Sequence, residues 1–530
     1  MRTTPIALAT LLGLFACKGG LDRDERAADH ARSEDALTVT SIGTALCSPP
    51  RVTQDGRLVL HDECATSSND GAVVVVSPGS GQRTVLTQYP ANRKVLFMGV
   101  KGARFFYAID RSDGGLDLHV RDTTNPTQVR KVTASPPAGV LGLTGIETHS
   151  DVGPEVFVEG NQIVFFAQGA PHHVFVGDLT SSVATAEALF DAQPHMPMAI
   201  AGVGSKVMLA SYRDRIVNDR VRIIDMSGTS PSLGAWTNVV CAGCDPGAIR
   251  IDEHTFDGVR VVGTIDDRLV SIEVATGLAT LLDPTTRYAT VYGLEGGFVY
   301  YGARTEEVRR LNAERLVRVP LAGGAAQTLF SQPDVIWIGS QTNEITWSSD
   351  KTALLFEARK LSGRAYYVMP ADGSSPPQQV ATAFGRAHLY GPATNGRQLV
   401  RFDDGIGVGP AVLSGILDDK TGQVVTPLSD VSGGPTMNHD GSAAFAIKFC
   451  TVGAANLPGA SIVRLTNAAP VEVIACEAIP QPSLPDGGPA QPPTYVTYDR
   501  VIHRIAGSNA VHVSGFDTLT KHWTSRVIAP

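Results

Sequence analysis

From about Thr38 onward the chain is a succession of short apolar runs separated by turn residues. The runs are about five to eight residues long, rich in Val, Ile, Leu, Phe and Tyr, and bounded by Gly, Asp, Asn, Pro and Ser, a pattern of β-strands joined by tight turns. Ala72–Ser77, ending in Pro78-Gly79-Ser80-Gly81, and Ala103–Ile109 are examples. No amphipathic helix of ten or more residues stands out; the best candidate, Glu306–Leu316, is broken by its charges and reads equally well as a loop. Weaker strands that close a unit recur at Thr84, Gln128, Ala186, Ala279, Ala326 and Gln423. About ten such units follow one another at intervals of roughly 45 to 55 residues. The period and the strands per unit predict an all-β fold, a β-propeller of four-stranded antiparallel blades with about 8–10 units. Each small sheet has two apolar faces that only neighbouring sheets can cover. A single large ring is expected, with two tandem propellers as the alternative, and the final segment can complete a blade with an N-terminal strand.

The turns carry a more specific pattern. Pro435-Thr-Met-Asn-His-Asp440-Gly441-Ser-Ala-Ala-Phe445 and Ile345-Thr-Trp347-Ser348-Ser349-Asp350-Lys-Thr-Ala-Leu-Leu355-Phe356 resemble the TolB-type propeller repeat, a Ser-Pro-Asp-Gly turn followed by an aliphatic-Ala-Phe strand. Gln54-Asp55-Gly56 and Asn395-Gly396 begin weaker copies. The resemblance implies propeller architecture and is nearly silent on function, because the motif is a folding device.

Ahead of the strands lies different material. Met1–Pro5 is short and basic, Ile6–Ala16 is apolar, and Leu14-Phe15-Ala16-Cys17 follows. Eleven apolar residues are too few to span a bilayer, which takes about 20, and fit a cleaved export signal. The tetrapeptide resembles the bacterial lipoprotein signal, which implies residues 1–16 as signal peptide, Cys17 as the acylated first residue, and membrane attachment through lipid. Lys18 rather than Asp after Cys17 favours the outer membrane. Residues 17–37, rich in Asp, Glu, Arg and Ala, read as a charged tether, and 38–530 as the propeller, with a Pro-rich loop at 479–493.

Seven cysteines make an odd count; removing Cys17 leaves six in three close pairs, Cys47 with Cys64, Cys241 with Cys244, and Cys450 with Cys476. In an exported protein these are candidate disulfides, the nearest-neighbour choice among several pairings. Cys241-Ala-Gly-Cys244 could be a redox centre, but it falls between strands rather than opening a helix, and no second pair exists to hold zinc.

Charge adds an exclusion. With 44 Lys and Arg against 52 Asp and Glu, a net charge of −8 argues against nucleic acid as partner. Motifs for serine hydrolases, phosphate loops and metal helices are missing. Ser348–Lys351 matches Ser-x-x-Lys but falls in the repeat turn, and Asp110–Asp117 is a loose calcium pattern better read as a hairpin. His172, His173 and His195 could converge on a metal, and Asp403-Asp404 with Asp418-Asp419 could supply acid and base; all read more simply as solvated loop residues. Trp236, Trp337, Trp347, Trp523 and Tyr366-Tyr367 read as core. No catalytic residue, cofactor or metal is assigned. The leading functional reading is a lipid-anchored envelope propeller that binds a protein or other envelope ligand; the alternative is a lyase, hydrolase or peptidase with its site built from inter-blade loops.

Overall fold

Alternating apolar residues with Gly- and Asp-centred turns leave this chain few options other than hairpins, and the computed structural model is built from them throughout. It describes residues 37–530 apart from 64–69, 111–115, 125–128, 132–155, 168–172, 179–183, 189–195, 214–216, 229–231, 242–248, 305–313, 339–344, 404–412, 429–434, 454–456, 467–469, 479–499, 518–521 and scattered one- or two-residue positions. The predicted signal, Cys17, the tether up to residue 36 and the Pro-rich loop therefore lie outside the described residues.

Among the described residues the strands form ten sheets of four or five strands. In chain order they occupy 51–89, 95–131, 156–188, 196–238, 240–281, 288–330, 335–383, 386–428, 436–478 and 500–529, blades 1 to 10. Within each blade neighbouring strands are antiparallel; the exception is Val240–Cys241, which adds in parallel beside Leu278–Leu281 at the edge of blade 5. Blade 10 takes its fourth strand from the start of the propeller: Thr38–Leu46 runs antiparallel to His522–Ala529, with Thr38 opposite Ala529.

First strands of successive blades approach one another, blade 1 beside 2, 2 beside 3, 7 beside 8 and 9 beside 10, so they border the centre and last strands form the rim. Apolar clusters seal the seams. Leu58 and Val74 of blade 1 pack with Ile42, Ile505 and Val527 of blade 10, while Phe445 and Ile462 of blade 9 pack with Ile502 and Val511. Comparable clusters join blades 1–2, 3–4, 4–5, 5–6, 6–7, 7–8 and 8–9. Between blades 2 and 3 the Arg104 guanidinium donates to the Gly160 carbonyl at 2.5 Å. The seams run through all ten blades and back to the first, one ring rather than two. At the seams filled by these clusters the facing sheet surfaces are removed from water, at about 25 cal/mol per Å² of apolar surface.

The repeat turns share one hydrogen-bond device. At the junction of first and second strands, Thr53, Thr255, Ser348 and Asn438 each offer a side-chain oxygen to the backbone N–H of Arg57, Val262, Ala353 and Ala443, at 2.8, 2.9, 2.8 and 3.0 Å. Side-chain acceptors of this kind fix the turn and register locally. The copy at Asp252–Gly258 escapes the sequence reading because Thr255 and Phe256 occupy the Ser-Pro positions.

In blade 9 Cys450 and Cys476 are joined, Cα atoms 6.1 Å apart, linking the second strand to the fourth across the third. The crossing needs Gly459 beneath it, where a Cβ would stand 2.8 Å from the Cys476 sulfur. Cys47 and Cys241 are also disulfide-bonded, while Cys64 and Cys244 lie outside the described residues.

Candidate binding cleft

Turns between first and second strands, and between third and fourth, crowd together at one end of the ring, here the lower face. Between blades 6 and 7 they leave a cleft of about 680 Å³. Blade 6 contributes Glu295, Phe298, Tyr300 and Arg318; blade 7 contributes the Asp350–Ala353 turn and Asp372; blade 8 reaches in with Lys420. Three carboxylates thus face three cations, Arg318, Lys351 and Lys420, so the cleft is formally neutral, with charged groups set on a largely apolar lining.

Most of these charges are held in place. Asp350 pairs with the Lys420 ammonium at 2.5 Å and accepts from the Ser348 and Thr352 hydroxyls at 2.8 and 2.7 Å. Lys420, then Thr352 and Ser348, hold its carboxyl well below the usual carboxylate range. Asp372 is also kept low, by Ser374. Arg318 donates to the Ala371 carbonyl at 3.2 Å and to Gln327 at 2.9 Å, with its guanidinium 4.5 Å from the Phe298 ring centre. The Tyr300 hydroxyl donates to the same carbonyl at 2.9 Å, and its ring meets Trp347 edge-on at 4.5 Å. Below the polar rim lies an aromatic wall.

The lip continues into blades 8 and 9. Asp419, fully buried, accepts from the Ser349 backbone at 2.7 Å. Gly396 N–H donates to the Ser349 hydroxyl at 2.9 Å, and the Asn395 amide to the His439 carbonyl at 2.9 Å. The turns of three blades are therefore clamped to one another.

Higher on the same seam, Glu314 is fully buried. It accepts from the Ile338 N–H at 2.7 Å and the Tyr292 hydroxyl at 3.2 Å, and burial pushes its carboxyl up. Gly302 permits this, since a Cβ there would lie 2.1 Å from the carboxylate. Glu314 thus ties the first strand of blade 6, through Tyr292, to the first strand of blade 7, through Ile338.

The residues predicted from sequence are dispersed. Ser348–Lys351 forms the blade 7 turn. Asp418 is spent on the Lys420 and Thr421 N–H groups at 3.1 and 2.9 Å, while Asp404, His172 and His195 lie outside the described residues, as do the side chains of His173 and Asp403. The Asp110–Asp117 pattern falls largely outside them too. Among the described residues no group of three or more His, Cys, Asp or Glu gathers as a metal site. Tyr366 and Tyr367 are buried, and Trp236, Trp347 and Trp523 pack against apolar clusters. Sequence reasoning missed the cleft, whose lining comes from turns up to about 125 residues apart, Glu295 to Lys420.

No family profile and no curated protein sequence matches the chain. Solved structures do resemble it. An oligogalacturonate lyase from Vibrio parahaemolyticus is 10% identical over 94% of each chain, with a TM-score of 0.33. Porphyromonas gingivalis dipeptidyl peptidase 4 is 10% identical over 84% of this chain and 67% of its own, at 0.41. A eukaryotic initiation factor is 11% identical over 78% and 93%, also at 0.41. At such scores the β-propeller assignment rests on the sheet order and seams described above, and activities stay with the proteins that carry them.

Proposed function

We propose that this chain is a lipid-anchored β-propeller of the bacterial cell envelope, attached through Cys17 to the outer membrane, that docks a segment of another polypeptide in the cleft between blades 6 and 7. The observation that carries the docking reading is the cleft itself: an aromatic wall topped by fixed charges of both signs, held by their own ring. A polypeptide offers a matching mixture of backbone dipoles, side-chain charges and an apolar anchor. The anchor reading rests on Leu14–Cys17 and on the odd cysteine that it accounts for.

An enzymatic reading would need a proton donor in the open cleft. Of the three cleft carboxylates, Asp350 and Asp372 are stabilised as anions by Lys420, Thr352, Ser348 and Ser374, and Glu314, the carboxyl that burial pushes up, is fully buried.

The test uses the full chain in its host. Cys17→Ser should move the protein from the membrane to the soluble fraction; unchanged fractionation removes the anchor. Cross-linking in intact cells should give a discrete partner adduct that Lys351→Asp abolishes at unchanged protein level. Asp is tolerated at the positive φ of 64° found at Lys351. An adduct that survives the charge reversal overturns the cleft as docking site.

A further inference from the structure

The turns between first and second strands repeat one geometry, and blade 7 departs from it in a single residue. Three positions after Thr53, Thr255 and Asn438 stand Gly56, Gly258 and Gly441, each in the left-handed region, with φ of 82°, 95° and 74°. The Gly56 and Gly441 N–H groups donate to the Thr53 and Asn438 carbonyls at 2.9 and 3.2 Å. In blade 7 the equivalent position, three after Ser348, is Lys351, whose N–H makes the same bond to the Ser348 carbonyl at 2.9 Å and whose φ is 64°. Glycine takes this conformation freely, whereas a Cβ there crowds the following carbonyl. The other non-glycine residues with positive φ among the described residues are Asp266, Asp267 and Asn395, the short polar types that tolerate it. At Lys351 a long, exposed side chain is held there instead, at the lip of the cleft between blades 6 and 7.

Its charge is also the one not spoken for. Of the three cations lining the cleft, Lys420 is paired with Asp350, and Arg318 donates to Gln327 and the Ala371 carbonyl. Lys351 forms no ion pair among the described residues. On the anionic side Asp350 is answered by Lys420, and Asp372 accepts from the Ser374 N–H at 2.9 Å. Glu295 stands on the blade 6 side, at the end of Tyr288–Glu295, in ordinary strand geometry. Strain retained at a cleft points to a side chain that does something glycine cannot. We infer that Lys351 selects what docks: the segment held between blades 6 and 7 carries a carboxylate that pairs with the Lys351 ammonium, next to an apolar residue that lies against the wall of Phe298 and Tyr300. An incoming carboxylate is drawn to the unanswered cation and turned away from Glu295, so the acidic group goes to the blade 7 side. An Asp or Glu side chain and a free C-terminal carboxylate offer this same chemistry. The inference rests on the docking reading and narrows it to acidic segments.

The test selects random heptapeptides displayed on phage against the full chain, with the peptide C terminus fused to the coat protein in one library and free in the other. Selected peptides are then synthesised and titrated by fluorescence anisotropy. Expected is enrichment of Asp or Glu beside an aromatic or aliphatic residue, with binding that Lys351→Gly weakens about tenfold and Lys351→Arg keeps within about twofold. Lys351→Gly should at the same time raise the denaturation midpoint, because glycine relieves the turn. Enrichment in the fused library assigns a side-chain carboxylate, and enrichment in the free library alone a C-terminal one. Selected peptides that lack an acidic position, or that bind Lys351→Gly as well as wild type, overturn the role of Lys351 and leave the docking reading standing. A midpoint that does not rise in Lys351→Gly removes the strain and overturns the assignment as well. If neither library yields a binder, the docking reading fails and this inference with it.

Discussion

Blades 6 and 7, and blades 10 and 1, meet through the same parts: facing second and third strands and an apolar seam. They treat charge in opposite ways. At blades 6–7, Asp350 has Lys420, Arg318 has Ala371 and Gln327, and buried Glu314 has Ile338 and Tyr292. At blades 10–1, His512 bonds the Ser525 hydroxyl through one ring nitrogen and keeps the other buried without a partner among the described residues. Charges answered internally give a surface whose shape and field are preset for a large partner. The two seams therefore differ in how far their polar groups are satisfied by the ring itself.

Removing the apolar support from one seam separates the two most strongly. Phe356 is fully buried between Phe330, at 5.2 Å between ring centres, and Tyr367, at 5.5 Å. Phe356→Ala should lower the unfolding free energy by ~3–5 kcal/mol, read by chemical denaturation. Below its melting transition the variant should lose cross-linking at the cleft. A loss of only a few tenths of a kcal/mol would mean that this seam does not support the lip.

How far each region could be read from sequence follows the same division. The strand rhythm, the closing strands such as Thr84–Gln88 and the Asp440-Gly441 turn are local, because alternation and turn chemistry are decided within a few residues, and they led to the propeller. Pairing of residue 38 with 529 closes the ring and was legible only as a general expectation. Val52 and Ile505 are 453 positions apart and neither belongs to a motif, so nothing short of the ring geometry brings them together. The cleft is similar: Lys420 enters because blade 8 turns it toward Asp350, and spacing along the chain does not encode that. Ser348, by contrast, stood out in the repeat and proved to be part of the scaffold.

A pH series sharpens the contrast next. Burial, with a smaller contribution from His503, depresses the His512 imidazole from an ordinary 6.5 to about 3. A folded-state value below the unfolded one means that folding favours the neutral ring, so its contribution is complete above about pH 6.5 and is lost progressively as the pH falls toward 3. The wild-type chain should therefore lose on the order of a few kcal/mol across that window from this group. His512→Gln, which cannot be protonated there and can still reach Ser525, should flatten that part of the stability profile. An identical slope in the variant would show that the blade 10–1 histidines do not limit acid stability.

The smallest effect belongs to the lip. Lys420 and Asp350 are both exposed at their pair, so breaking it should leave the melting temperature close to that of wild type. What should change is the field in the cleft. Lys420 is the largest of the influences that hold the Asp350 carboxyl low, with Thr352 and Ser348 behind it. In Lys420→Ala the Asp350 titration, followed by NMR at its carboxyl carbon, should move up toward the ordinary aspartate range and stop short of it, because both hydroxyls remain in place. If Asp350 titrates identically with and without Lys420, the pair is not formed in solution and the charges of the cleft are not preset.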